Sequence, residues 1–252
     1  MTPEPAGRLE ARLDDGTGPD RIGAIIFDED LTSEDELARL RGAQDISVHI
    51  SRMPLPTDAS PAGLARTLDD LAAAASRLVP SAPLGAIAYG CTTGTLELGY
   101  EAVVAAIARG RPGATPVATP ITGAVKAFAA LGVSRISLLT PYAAPLNRLI
   151  VDHLALASVR TLNLAAFAVE REIDFARVSL PSLRDGALSA MHPEAEALFV
   201  SCTALRVGGL IDELETALGR PVVTSTQALW WEALQLAGRQ PTARGGGRLL
   251  AP

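Results

Sequence analysis

Gly85-Ala-Ile-Ala-Tyr-Gly-Cys91-Thr-Thr-Gly94 and Ala197-Leu-Phe-Val-Ser-Cys202-Thr-Ala-Leu-Arg206 read as two copies of one device. In each, a short unbroken apolar run, the pattern of a strand buried on both faces, delivers a cysteine, a threonine and then a helix-like segment. Cys91 and Cys202 are the only cysteines in 252 residues. A thiol at a strand end and helix start sits among free backbone N–H groups at the positive end of a helix dipole, which predicts a lowered thiol pKa. The central expectation is that the two thiols face each other across a cleft and act as a pair. The alternative for each is a small buried hydrophobe.

Outward from these stretches, strands and helices alternate. The apolar run Ile22 to Phe27 ends in the acidic loop Asp28-Glu-Asp30, where Thr32 or Ser33 is placed to cap a helix from about Glu34 to Arg41. A strand from Asp45 to Ser51 follows, and Ser60 with Pro61 opens an alanine-rich helix. Beyond Cys91 the pattern predicts a helix from Leu96 to Arg109, a strand near Thr115 to Ala118, and a helix from Ile121 closed by Gly132. At Arg135 the layout restarts. Helices are expected at Pro145 to Ala157, Phe175 to Met191, Gly209 to Leu218 and Ala228 to Ala237, with strands at Thr161 to Ala166, at Cys202 and at Pro221.

Ile22 and Ile136 lie 114 positions apart, the two cysteines 111, and Pro116 and Pro221 105. A nearly constant offset points to an internal duplication; the competing reading is an ordinary doubly wound protein with two similar crossovers. The expected fold is α/β: two lobes related by a pseudo-twofold, each a parallel sheet flanked by helices, with a cleft between them at the carboxyl ends of the strands. Residues 1–20 read as a loose arm, 21–133 as the first lobe and 134–252 as the second, with terminal helices free to cross between lobes.

Composition narrows the function. The chain is 48% hydrophobic, 20% charged and 4% aromatic, with a net charge of −6. No basic stripe is present to neutralise phosphates, which argues against nucleic acid. No apolar run reaches the ~18 to 20 residues of a membrane span. Two cysteines without a signal-peptide pattern predict a cytoplasmic protein with free thiols. His49, His153 and His192 show no ligand spacing with either cysteine, so no metal is expected. Gly16-Thr-Gly18 precedes a strand instead of following one, against dinucleotide binding. Gly245-Gly-Gly247 reads as a flexible or tucked tail, and of the adjacent Trp230 and Trp231 one is expected at a cleft or subunit interface.

One thiolate and one thiol on opposite faces of a carbon acid can remove a proton on one side and deliver it on the other, which is racemisation or epimerisation without a cofactor. The same pair supports addition to an activated C=C, bond rotation and elimination to the other geometric isomer. Both reactions need donors for a carboxylate and for developing enolate charge, and Thr92, Thr93 and Thr203 with helix-start amides suit that task. A non-catalytic two-lobe binding protein is the alternative outside enzymes.

Gly90-Cys91-Thr-Thr-Gly94, Leu139-Thr-Pro-Tyr142, Val200-Ser-Cys202-Thr203, Pro221-Val-Val-Thr-Ser225 and Gly247-Arg-Leu-Leu250 together resemble the aspartate/glutamate racemase superfamily, in the branch of maleate cis-trans isomerases and arylmalonate decarboxylases. The resemblance runs from about Arg21 to the C-terminus and implies a site between two lobes with no metal or organic cofactor. It implies Cys91 as nucleophile or base, Cys202 as its partner, Tyr142 as a hydrogen-bond partner of the substrate carboxylate, and Thr92 and Thr203 as pocket walls. Decarboxylases of this branch keep only the second cysteine, so Cys91 favours racemase or isomerase chemistry over an arylmalonate-type decarboxylase. Where maleate isomerases carry asparagines, this chain has Asp30 and, in a looser alignment, Glu172. Acids there would repel a dicarboxylate and welcome an ammonium or amidinium group. The expected substrate is therefore a small carboxylate of amino-acid-like character, such as the compatible-solute derivatives handled by racemase-like proteins of hydroxyectoine breakdown, in preference to maleate. A homodimer is compatible with this reading.

Overall fold

The computed structural model describes residues 10–12, 20–42, 44–58 and 60–251. Apart from residues 10–12 and 20, the loose arm expected over residues 1–20 lies outside the described residues. Two parallel four-stranded sheets carry the fold. The first contains β1 (Asp20–Phe27), β2 (Ile46–Met53), β3 (Ala86–Tyr89) and β4 (Val117–Ala118) in the order β2-β1-β3-β4. The second contains β5 (Arg135–Thr140), β6 (Arg160–Ala166), β7 (Ala197–Val200) and β8 (Val222–Thr224) in the order β6-β5-β7-β8. The order is the same in both, and Ile22 pairs with Ala86 as Ile136 pairs with Ala197. The centres of both sheets, β3 and β7, are apolar and buried throughout, as continuous hydrophobic runs require.

Local chemistry sets the helices. In the first half these are α1 (Ser33–Arg41), α2 (Pro61–Ser76), α3 (Thr92–Leu98), α4 (Tyr100–Gly110) and α5 (Pro120–Leu131); in the second, α6 (Ala144–Leu156), α7 (Leu180–Ala190), α8 (Ile211–Leu218) and α9 (Ser225–Leu236). Ser60 caps α2 through the Gly63 N–H with Pro61 in the first turn, as its sequence predicts. The helix expected over Leu96 to Arg109 is instead two, α3 and α4, because Gly99 adopts φ +84° and turns the chain between them. The one expected from Phe175 to Met191 is a 3-10 segment, Glu172–Arg177, followed by α7, which Ser179 caps and Pro181 opens. Thr32 and Ser33 do not cap α1 with their side chains; the Asp30 carboxylate accepts the Thr32 N–H at 2.8 Å and the Ser33 N–H at 2.7 Å in their place.

Helices α5 and α9 exchange partners. α5 follows β4 of the first sheet, yet Phe128 meets Phe199 of β7 edge to face at 5.5 Å. α9 follows β8 of the second sheet and packs against α5, β3 and β4. Both carry capping boxes, Thr119 with Thr122 and Thr224 with Gln227. Residues Ser225 through Leu234 of α9 are all buried, so Trp230 and Trp231 both belong to the core and neither reaches the cleft. One apolar core thus runs through both sheets, with a smaller one on the outer face of the first. The C-terminal glycines are tucked in: Gln227 donates to the Gly246 carbonyl at 2.6 Å, the Arg248 N–H donates to Glu215, and Leu249 and Leu250 are buried. Among the described residues, no helix is long and apolar enough to cross a membrane.

Candidate active site

The carboxyl ends of β3 and β7 approach each other where the halves meet, and a narrow cleft open to solvent lies between them. Both thiols line it. Around them stand Gly90, Thr92, Thr203 and Ala204, with Phe27, Glu29, Asp30, Leu31 and Leu55 from the first half and Glu172, Ile173 and Ala176 from the 3-10 segment. Cys91 is 7% exposed and Cys202 6%, so the sulfurs present little more than one face each.

Three hydrogen bonds tie the halves around this cleft. The Thr203 hydroxyl donates to the Gly90 carbonyl at 2.9 Å, the Thr32 hydroxyl to the Ala204 carbonyl at 2.9 Å, and the Thr92 and Ser225 hydroxyls share a hydrogen bond of 3.0 Å. Thr92 and Thr203 therefore border the cleft with hydroxyls already engaged. What Thr92 leaves at the wall is backbone: its amide, in the first turn of α3, has no intrahelical acceptor.

The thiols differ in support. Cys91 is the N-cap of α3, and its sulfur accepts the Gly94 N–H at 3.1 Å with the Thr93 hydroxyl 3.8 Å away. Cys202 begins no helix, because a turn and a 3-10 segment, Gly208–Leu210, separate it from α8; its sulfur accepts the Ala204 N–H at 3.4 Å. The Tyr142 hydroxyl lies beside it and favours its thiolate. Tyr142 is buried behind Cys202, edge-on to Phe175 at 5.7 Å, and does not line the cleft. Thr93 likewise stands beside Cys91 and outside the cleft lining.

The electrostatics overturn the expected lowering of the thiol pKa. Burial pushes Cys91 up to about 12, Glu172 adds to the shift, and the Gly94 N–H and Thr93 oppose it. Cys202 is likewise pushed up to about 12 by burial, against the pull of Tyr142 and the Ala204 N–H. A two-turn helix start does not outweigh the loss of water around a sulfur. Glu172 itself is raised to about 7, by desolvation first and then by the charges of Glu29, Asp30 and Glu97. Glu172 lines the cleft while remaining partly exposed, and the charges of these acids bear on its carboxyl.

Arg52 holds the acidic loop: its guanidinium donates to the carbonyls of Phe27, Asp28 and Asp30 and pairs with Glu34 at 2.8 Å. Asp30 lines the cleft, but its carboxylate is taken up by α1 and by the Ser33 hydroxyl at 2.6 Å. Among the described residues, Glu29 and Glu172 are the acids left facing the cleft without such ties, and no Arg, Lys or His lines it. Sequence reading missed Tyr89, whose hydroxyl adjoins Cys91; strand alternation, which puts residues two apart on one face, was the available signal. Among the described residues no group of three or more His, Cys, Asp or Glu side chains is placed to hold a metal ion.

Both the sequence and the two-sheet fold match known proteins. The family model described as arylmalonate decarboxylase matches residues 61–250. The chain belongs to the arylmalonate decarboxylase family. An arylmalonate decarboxylase of Bordetella bronchiseptica is 34% identical over 137 residues, covering 53% of this chain and 57% of that protein. A maleate isomerase of Nocardia farcinica is 28% identical over 243 residues, 91% of this chain and 95% of that protein. The fold matches, with a TM-score of 0.80 and 24% identity over 92% of this chain and 98% of the other, a cysteine-to-serine variant of Nocardia farcinica maleate cis-trans isomerase holding a covalently bound succinylcysteine intermediate. Members of the arylmalonate decarboxylase family and their isomerase relatives thus share this two-sheet architecture.

Proposed function

We propose that this protein is a cofactor-independent isomerase that racemises or epimerises a small carboxylate bearing a cationic nitrogen, with Cys91 and Cys202 as the acid–base pair. The observation that carries the reading is that both thiols of the chain open onto one cleft. One sulfur, as thiolate, takes the proton from the carbon α to the carboxylate; the electron pair moves into an enolate-like system. The other thiol returns a proton to the opposite face, leaving its own sulfur as the thiolate. The free Thr92 amide at the start of α3 is suited to the substrate carboxylate.

The acidic lining supports the cationic nitrogen. Glu172 raises both thiols through its charge. An ammonium or amidinium paired with Glu172 removes that repulsion, so the substrate itself lowers the barrier to forming the thiolate. A dicarboxylate adds to the repulsion. Tyr142, beside Cys202, supports the thiolate of that sulfur.

Solvent-deuterium exchange across amino-acid-like carboxylates and dicarboxylates tests this. Label at the α carbon, lost in both Cys91→Ala and Cys202→Ala, is expected. The match to a maleate isomerase over 91% of the chain favours a second reading, cis-trans isomerisation through a thioether adduct. A mass increase on one cysteine equal to an unsaturated dicarboxylate would establish it. Decarboxylation that survives Cys91→Ala would replace both.

A further inference from the structure

Tyr89 is 1% exposed on β3, and its hydroxyl has no hydrogen-bond partner in this structure. A buried hydroxyl without a partner is costly, and phenylalanine would fill the same space without that cost. The group the hydroxyl faces is the sulfur of Cys91, two residues on in extended backbone just past the end of β3. The two atoms border one small space closed by Gly94, where a Cβ would lie 2.8 Å from the Cys91 sulfur and 2.8 Å from the Tyr89 hydroxyl oxygen.

We infer that Tyr89 is the positioning residue of Cys91, its hydroxyl aimed to donate to the sulfur once that sulfur is a thiolate. A neutral thiol is a weak acceptor and a thiolate a strong one, so the hydroxyl is unpartnered in the first state and engaged in the second. It joins the Gly94 N–H and the Thr93 hydroxyl as a third donor. The ionisable groups bearing on Cys91 are Tyr89 itself, Glu97 of α3, Glu172 of the 3-10 segment, and Cys202 and Tyr142 from the second half. Both acids oppose the thiolate, so it depends on its donors. Burial holds Tyr89 well above the usual phenol range, which keeps it a donor. It does not line the cleft.

The duplication strengthens the inference. By strand register Tyr89 corresponds to Val200, and by the 114-residue offset Tyr142 corresponds to Asp28. Each sulfur has a phenol, and the two phenols come from unrelated positions. Descent from one ancestral half does not account for that; a shared requirement of the two sulfurs does.

The inference rests on Cys91 working as a thiolate, and its test needs no substrate, so it stands apart from the search for turnover. Alkylation of each cysteine by iodoacetamide is followed by mass spectrometry from about pH 6 to about pH 10 in the intact protein, in Tyr89→Phe and in Tyr142→Phe. Tyr89→Phe is expected to move the Cys91 profile up by about one pH unit, an about tenfold slower reaction at a given pH, and to leave Cys202 in place. Tyr142→Phe is expected to do the reverse. An unmoved Cys91 profile in a folded Tyr89→Phe protein overturns the inference, as does an equal shift of both sulfurs. If that variant does not fold, replacing all tyrosines by the more acidic 3-fluorotyrosine decides the matter: the Cys91 profile moves down, or the inference fails.

Discussion

The Thr203 hydroxyl donates to the carbonyl of Gly90 at 2.9 Å, joining the residue after one thiol to the residue before the other. The bond is buried, so Thr203→Val leaves that carbonyl without its partner at nearly unchanged volume. A loss of about 1–3 kcal/mol is expected, read from chemical denaturation. Because the bond also fixes the spacing of the two cysteine loops, turnover is expected to fall further than stability.

The two thiols predict a specific pattern of loss. If each handles a proton on its own face of the substrate, Cys91→Ala and Cys202→Ala each lower kcat by about 10² to 10⁴. The double variant is expected to fall little below either single one, since the residues act as a unit. Steady-state rates of the three variants check this.

Glu172 predicts a pH dependence whose sign is fixed by its raised pKa. Between its ordinary value of 4.5 and about 7 the folded protein holds a proton that the unfolded chain has released. Stability contributed by this group is therefore present below that window and lost as pH rises through it. Melting temperatures measured across the window are expected to decline less in Glu172→Gln. A cationic ligand prefers the ionised carboxylate, so its affinity is expected to rise with pH and level off above about 7, a trend that calorimetry would find absent in the variant.

Gly94→Ala places a methyl group 2.8 Å from both the Cys91 sulfur and the Tyr89 hydroxyl. Overpacking of this kind costs about 1–3 kcal/mol. The sulfur has the cleft to move into, so the expected result is a modest drop in melting temperature with a large drop in activity.

Much of this architecture is legible in residue order. The runs before Cys91 and Cys202 announce buried parallel strands, and the near-constant offset between halves anticipates two sheets of like order. Other features depend on contacts that spacing does not encode. Only the fold shows that Thr92 and Thr203 direct their hydroxyls across the lobe junction, or that Asp30 caps α1. The position of Cys91 at a helix start is readable, but the direction of its pKa follows from how completely neighbours exclude water, which is tertiary information. A single glycine is tolerated within a helical pattern, so the break that Gly99 makes between α3 and α4 shows only in the φ it adopts.

The reciprocal packing of α5 and α9 carries a constraint. Each half lends its last helix to the other, so the two sheets share one interior. Neither repeat retains a complete interior of its own, so cutting the gene between them should yield fragments that gain order only when mixed.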